Sequence, residues 1–86
     1  MKKIIVDLNM LDTKEKIHDF FSAELRTPKW YGRNLDALYD ELTSVCEELC
    51  IVCCGSEEYL PVCTKGMLDV LNDAAKENRY LTIEKM

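Results

Sequence analysis

Hydrophobic positions along the chain change their rhythm six times, and each change marks an element. Residues 3–8 (Lys-Ile-Ile-Val-Asp-Leu) are rich in β-branched side chains and predict a first strand. Asp12, followed three residues later by Glu15, has the form of a capping box. Ile17, Phe20, Phe21 and Leu25 then recur at helical spacing, and Pro28 closes that helix because the residue before a proline avoids the α region.

The loop Lys29-Trp30-Tyr31-Gly32-Arg33 leads to Asn34, a good N-cap. Leu35, Leu38, Leu42 and Val45 mark a second helix ending near residue 45. Residues 49–54 (Leu-Cys-Ile-Val-Cys-Cys) form an unbroken apolar run of strand length, as expected of a strand covered on both faces. Thr64 is placed to cap a third helix whose apolar side is Met67, Leu68, Val70, Leu71, Ala74 and Ala75, and residues 80–84 alternate as a last strand. Strands separated by helices imply crossovers and a parallel sheet. The expectation is a compact α/β fold, β-α-α-β-α-β, with three parallel strands and one domain over residues 1–86.

Eleven Lys and Arg against sixteen Asp and Glu leave a formal charge of −5. Such a field repels nucleic acid and anionic lipid and attracts cationic partners. No stretch approaches the roughly 20 apolar residues of a membrane helix. Asp7 interrupts the apolar start too early for a secretory leader. Five cysteines, Cys46, Cys50, Cys53, Cys54 and Cys63, are an odd number at spacings unsuited to a disulfide framework, so a reducing cytoplasm is the expected compartment.

The placement of the acids is more telling than their number. Asp36 and Asp40 lie one turn apart on the second helix, where they repel by about 0.2–0.5 kcal/mol. The first turn of a helix favours Asp36, whereas Asp40 lies beyond it. Local helix physics therefore does not ask for Asp40, which points to an external cation. Asp69, Asp73 and Glu77 repeat the pattern on the third helix. Trp30 and Tyr31 precede the second helix as either a core plug or a contact surface of the kind that anchors interfaces.

Catalysis finds little support. His18, the single histidine, has no nucleophile near it in sequence and is expected at the surface or its boundary. Asp36 and Asp40 as an acid–base pair lack any sign of a substrate cleft. A cysteine-based metal or redox protein is a rival class through Cys50-x-x-Cys53-Cys54, but strand alternation sends Cys53 and Cys54 to opposite faces. No cofactor and no metal are expected. An acidic module that docks some other basic protein is a further alternative.

The run Trp30-Tyr31-Gly32-Arg33-Asn34-Leu35-Asp36-Ala37-Leu38-Tyr39-Asp40-Glu41-Leu42 resembles the signature of the barstar family, intracellular inhibitors of barnase-like ribonucleases. The likeness extends over essentially the whole chain in element order. It implies a non-enzymatic protein that covers the active site of a basic extracellular ribonuclease, one to one, using the signature helix and preceding loop. By the same resemblance Asp40 takes the place of an RNA phosphate in the catalytic pocket, and Asp36 is a second acid of that patch. Trp30, Tyr31, Gly32, Asn34, Tyr39 and Thr43 would complete the ribonuclease-binding surface, with Asp73 and Glu77 at its periphery. Arg33 adds a positive charge inside the loop.

Overall fold

A computed structural model describes all 86 residues. Strand β1 (Lys2–Asp7) is followed by helices α1 (Lys14–Leu25) and α2 (Leu35–Thr43), then by β2 (Leu49–Cys54), α3 (Val62–Glu77) and β3 (Leu81–Lys85). The three strands form one parallel sheet in the order β1-β2-β3, with Ile4 opposite Ile51 and Ile51 opposite Ile83. The sequence reading of β-α-α-β-α-β holds.

Both crossovers step the same way across the sheet. Right-handed connections, the rule for parallel neighbours, therefore put all three helices on one face. Core membership agrees. Ile4, Val6, Leu49, Ile51, Cys53 and Leu81 alternate along the strands and enter one cluster with Phe21, Leu38, Leu42, Met67 and Leu71 from the helices.

The expectation of cover on both faces of residues 49–54 is thus corrected. Cys50 and Val52 are buried, but no helix lies over them. They sit mid-sheet among the side chains of the flanking strands, in rows with Lys3 and Thr82 and with Ile5 and Glu84. Ile5 on this bare face is 55% exposed. Burial and the neighbouring Glu84 carboxylate push the Cys50 thiol up from its ordinary value.

Helix starts also differ from the sequence reading. Thr13, not Asp12, caps α1, its hydroxyl accepting from the Lys16 N–H at 3.1 Å, while Asp12 forms an ion pair with Lys16. Helix α3 begins two residues before Thr64, at Val62. Thr64 is instead fully buried and donates to the Leu11 carbonyl at 2.7 Å, tying α3 to the segment after β1. Helix α2 stops at Thr43, where the Ser44 N–H and hydroxyl both fold back onto the Asp40 carbonyl.

Helices α2 and α3 run side by side in the same direction, and contacts at both ends hold them so. At the start a Cβ added to Gly66 would come within 2.9 Å of Leu35 Cδ1, so glycine permits the close approach. At the finish the buried Asn78 amide donates to the carbonyls of Leu42 at 3.0 Å and Val45 at 2.8 Å. The Leu42 carbonyl belongs to the last turn, which lacks intrahelical partners, and Val45 lies just past the helix.

Candidate functional site

Asn34 starts α2 in extended conformation and accepts from the Ala37 N–H at 2.8 Å. Its own amide donates to the Gly32 carbonyl at 3.2 Å. Gly32 is confined: a Cβ there would lie 3.1 Å from Asn34 Nδ2 and 3.3 Å from Ala37 Cβ. Arg33 next to it is left-handed, with φ 53°, an unusual conformation for a residue with a side chain. Its guanidinium is held by Asp19 at 2.6 Å, which offsets the positive charge in the loop.

The two loop aromatics part company. Trp30 is 82% exposed, whereas Tyr31 is buried. The Tyr31 hydroxyl lies 2.8 Å from Nδ1 of His18, with the ring centroids 5.7 Å apart. His18 is therefore no surface or boundary residue; it is 4% exposed. The signal was present in the chain, since His18, Phe21 and Leu25 share the i, i+3, i+7 spacing of an inward stripe. Burial, reinforced by Arg33, holds the His18 ring below its ordinary value, and burial pushes the Tyr31 phenol up.

Helix α2 turns its acids outward. At ~100° per residue, Asp36 and Asp40 stand ~140–180° from the midline of buried Leu38 and Leu42. Both are exposed, and neither carboxylate has an ion pair or hydrogen bond within the chain. The ion pairs lie elsewhere: Lys16–Asp12, Arg33–Asp19 and Lys85–Glu57.

Tyr39 and Thr43 occupy the flank of α2 on the Leu35 side, which faces α3. Tyr39 is half-buried against the core, and the Thr43 hydroxyl donates back to the Tyr39 carbonyl at 2.9 Å. On α3, Asp73 and Glu77 stand within ~20° of Gly66 around the helix, hence towards α2, while Asp69 is ~60° away on the far side. The acidic ridge read from sequence thus divides: Asp73 and Glu77 border the α2–α3 seam and Asp69 does not. Arg79 forms no ion pair with either, and its guanidinium stacks over Tyr80, 5.1 Å from the ring centroid.

The cysteines do not gather. All five are free, Cys46 is exposed, and no three His, Cys, Asp or Glu side chains are grouped to hold a metal ion. No helix is long and apolar enough to cross a membrane.

A parallel three-stranded sheet under three helices, with a signature helix of this sequence turned outward, can be compared with known proteins. The sequence model of the family described as "Barstar (barnase inhibitor)" matches residues 1–84. The chain belongs to the barstar family. One relative, the Bacillus subtilis (strain 168) protein named "Putative ribonuclease inhibitor YrdF", is 49% identical over 43 residues, which are 50% of this chain and 47% of that protein. The chain thus spans about half the length of that curated relative.

Proposed function

We propose that this chain is an intracellular inhibitor of a basic, secreted, barnase-like ribonuclease, and that it closes the enzyme's active site in a one-to-one complex. The reading is carried by one observation: Asp36 and Asp40 protrude from the signature helix of a barstar-family fold with no cation of their own. A ribonuclease cleft presents Lys, Arg and His aimed at phosphate. A carboxylate entering it makes the charge-assisted hydrogen bonds that cleft already favours.

In this reading Asp40 substitutes for an RNA phosphate and Asp36 sits beside it. Asp73 and Glu77 extend the negative field along the seam. Exposed Trp30, with Tyr39 and Thr43, excludes water around the central acids, as the surroundings of an interface hot spot do. Buried Tyr31, with Gly32 and Asn34, holds the loop and the helix start in place. The relative's name, which refers to ribonuclease inhibition, supports the same class of partner. Toxicity of a nuclease that folds before export gives such an inhibitor its place in the cytoplasm.

The test is titration of a barnase-type ribonuclease with this protein while RNA cleavage is followed. Activity should fall linearly to zero at one equivalent. Asp40→Ala should weaken the complex by about 3–5 kcal/mol, because a cationic pocket is left buried and unpaired. Unchanged affinity after that substitution would remove Asp40 from the centre of the interface. Failure to inhibit any basic ribonuclease at stoichiometric amounts would remove the function.

A further inference from the structure

The helices run parallel on one face of a parallel sheet, so their N-termini meet at the carboxyl ends of the strands. A hollow of about 370 Å³ lies there, and Lys14 of α1, Asp36 of α2 and Cys63 of α3, each from the first turn of its helix, line it together. The helices have 12, 9 and 16 residues. Their first N–H groups lack intrahelical partners, and their dipoles present positive ends to the same space.

A second observation is independent of the helix ends. The His18 ring is 4% exposed and lines this hollow and a neighbouring one of about 300 Å³ bordered by Lys14, Glu15 and Arg33. Its Nδ1 is occupied by Tyr31, and Nε2 makes no hydrogen bond. Yet no fully enclosed side-chain nitrogen or oxygen in the protein lacks a partner. Nε2 is therefore reachable from the space that His18 lines, and no group of the protein bonds it.

The geometry points to a binding site for a phosphate group in this hollow. Lys14 forms none of the chain's ion pairs and supplies a free cation. Arg33 supplies a second, shared with Asp19. When the Tyr31 hydroxyl donates to Nδ1, Nε2 carries the proton and donates to the ligand.

Asp36 on the rim selects among anions. Phosphate near neutral pH retains a proton on part of its population, and that P–OH can donate to the carboxylate. Sulfate has no proton to offer and meets only repulsion. A bound phosphate would also favour the protonated form of His18, against the burial, Arg33 and Lys14 that now oppose it and with Asp19, which supports it.

The chain has one histidine, so its imidazole resonances report the site directly. The free protein is titrated with inorganic phosphate at slightly acid pH, with chloride holding ionic strength constant. The expected result is a saturable shift of the His18 signals and a rise of its midpoint by about one pH unit, a tenfold gain in proton affinity. Sulfate should bind about tenfold more weakly, as should phosphate to the Lys14→Gln variant, a loss typical of one charge-assisted hydrogen bond. Lys14 is exposed, so that variant is expected to fold.

Adenosine 5′-monophosphate is a parallel arm. Tighter binding than inorganic phosphate assigns the site to nucleotides, and equal or weaker binding assigns it to free phosphate. A shift that never saturates, equal responses to phosphate and sulfate, or an unaltered Lys14→Gln titration would each overturn the proposal. Ribonuclease plays no part in the titration, so a negative result leaves the inhibitor reading standing.

Discussion

The Tyr31 hydroxyl and Nδ1 of His18 lie 2.8 Å apart inside the protein, joining the loop before α2 to the middle of α1. Trp30, the neighbour of Tyr31, is left outside. One residue fastens the loop and the next presents it.

Removing that fastening has a calculable cost. Tyr31→Phe leaves the ring in place and strips His18 Nδ1 of its partner. Loss of a buried hydrogen bond of this kind costs about 1–3 kcal/mol. Chemical denaturation should show the loss, and a variant as stable as the parent would mean the bond contributes nothing net.

Stability should also depend on pH through His18. Its folded-state value lies below the ordinary 6.5 because burial disfavours the charged ring. The unfolded chain therefore takes up a proton in a range where the folded chain does not. The contribution of the neutral ring is complete above pH 6.5 and is lost as the pH falls from there through the folded-state value. Urea midpoints should be level from pH 6.5 up to the onset of thiol ionisation in the unfolded chain and decline below 6.5, and His18→Gln should flatten the upper part of that decline. A midpoint that rises on mild acidification would contradict the assignment.

Asn78 secures the far end of α2 with two donated hydrogen bonds. Asn78→Ala leaves the carbonyls of Leu42 and Val45 without that amide and should destabilise the fold by about 2 kcal/mol. Amide hydrogen exchange in the last turn of α2 should quicken with it. Exchange unchanged in that turn would show that the helix end does not depend on Asn78.

The unequal placement of the α3 acids predicts unequal kinetics. Association with the ribonuclease should slow roughly tenfold between about 0.01 M and about 0.15 M ionic strength. At low salt Asp73→Asn should slow association about two- to threefold, and Asp69→Asn distinctly less, because Asp69 stands away from the seam. Stopped-flow mixing distinguishes them, and equal effects would argue that only net charge matters.

Much of this was legible in the chain because its local signals agree with one another. The apolar run 49–54 became β2 residue for residue, and Asn34 caps α2 as its type suggests. Leu35, Leu38 and Leu42 set the inward side of α2, which in turn sends Asp36 and Asp40 outward. The misreadings arose where a distant contact outweighed local preference. Thr64 resembles a cap, yet its hydroxyl serves Leu11, 53 residues away in the chain. The inward stripe of α1 carries His18 into the protein, but its bond to a phenol thirteen positions on is written in no helical pattern. Nor does an apolar strand reveal whether its second face is covered by a helix or only by its neighbours' side chains, as Cys50 and Val52 are.

The bare reverse of the sheet gives the molecule a handle. Thr82 is exposed there, on the side of the sheet opposite the helices. A dye or surface linker attached through Thr82→Cys, with exposed Cys46 and half-buried Cys54 and Cys63 replaced by serine, would ride behind the molecule while α2 and its loop stayed clear in front. Immobilised by that point, every copy would face the solution with the same side forward.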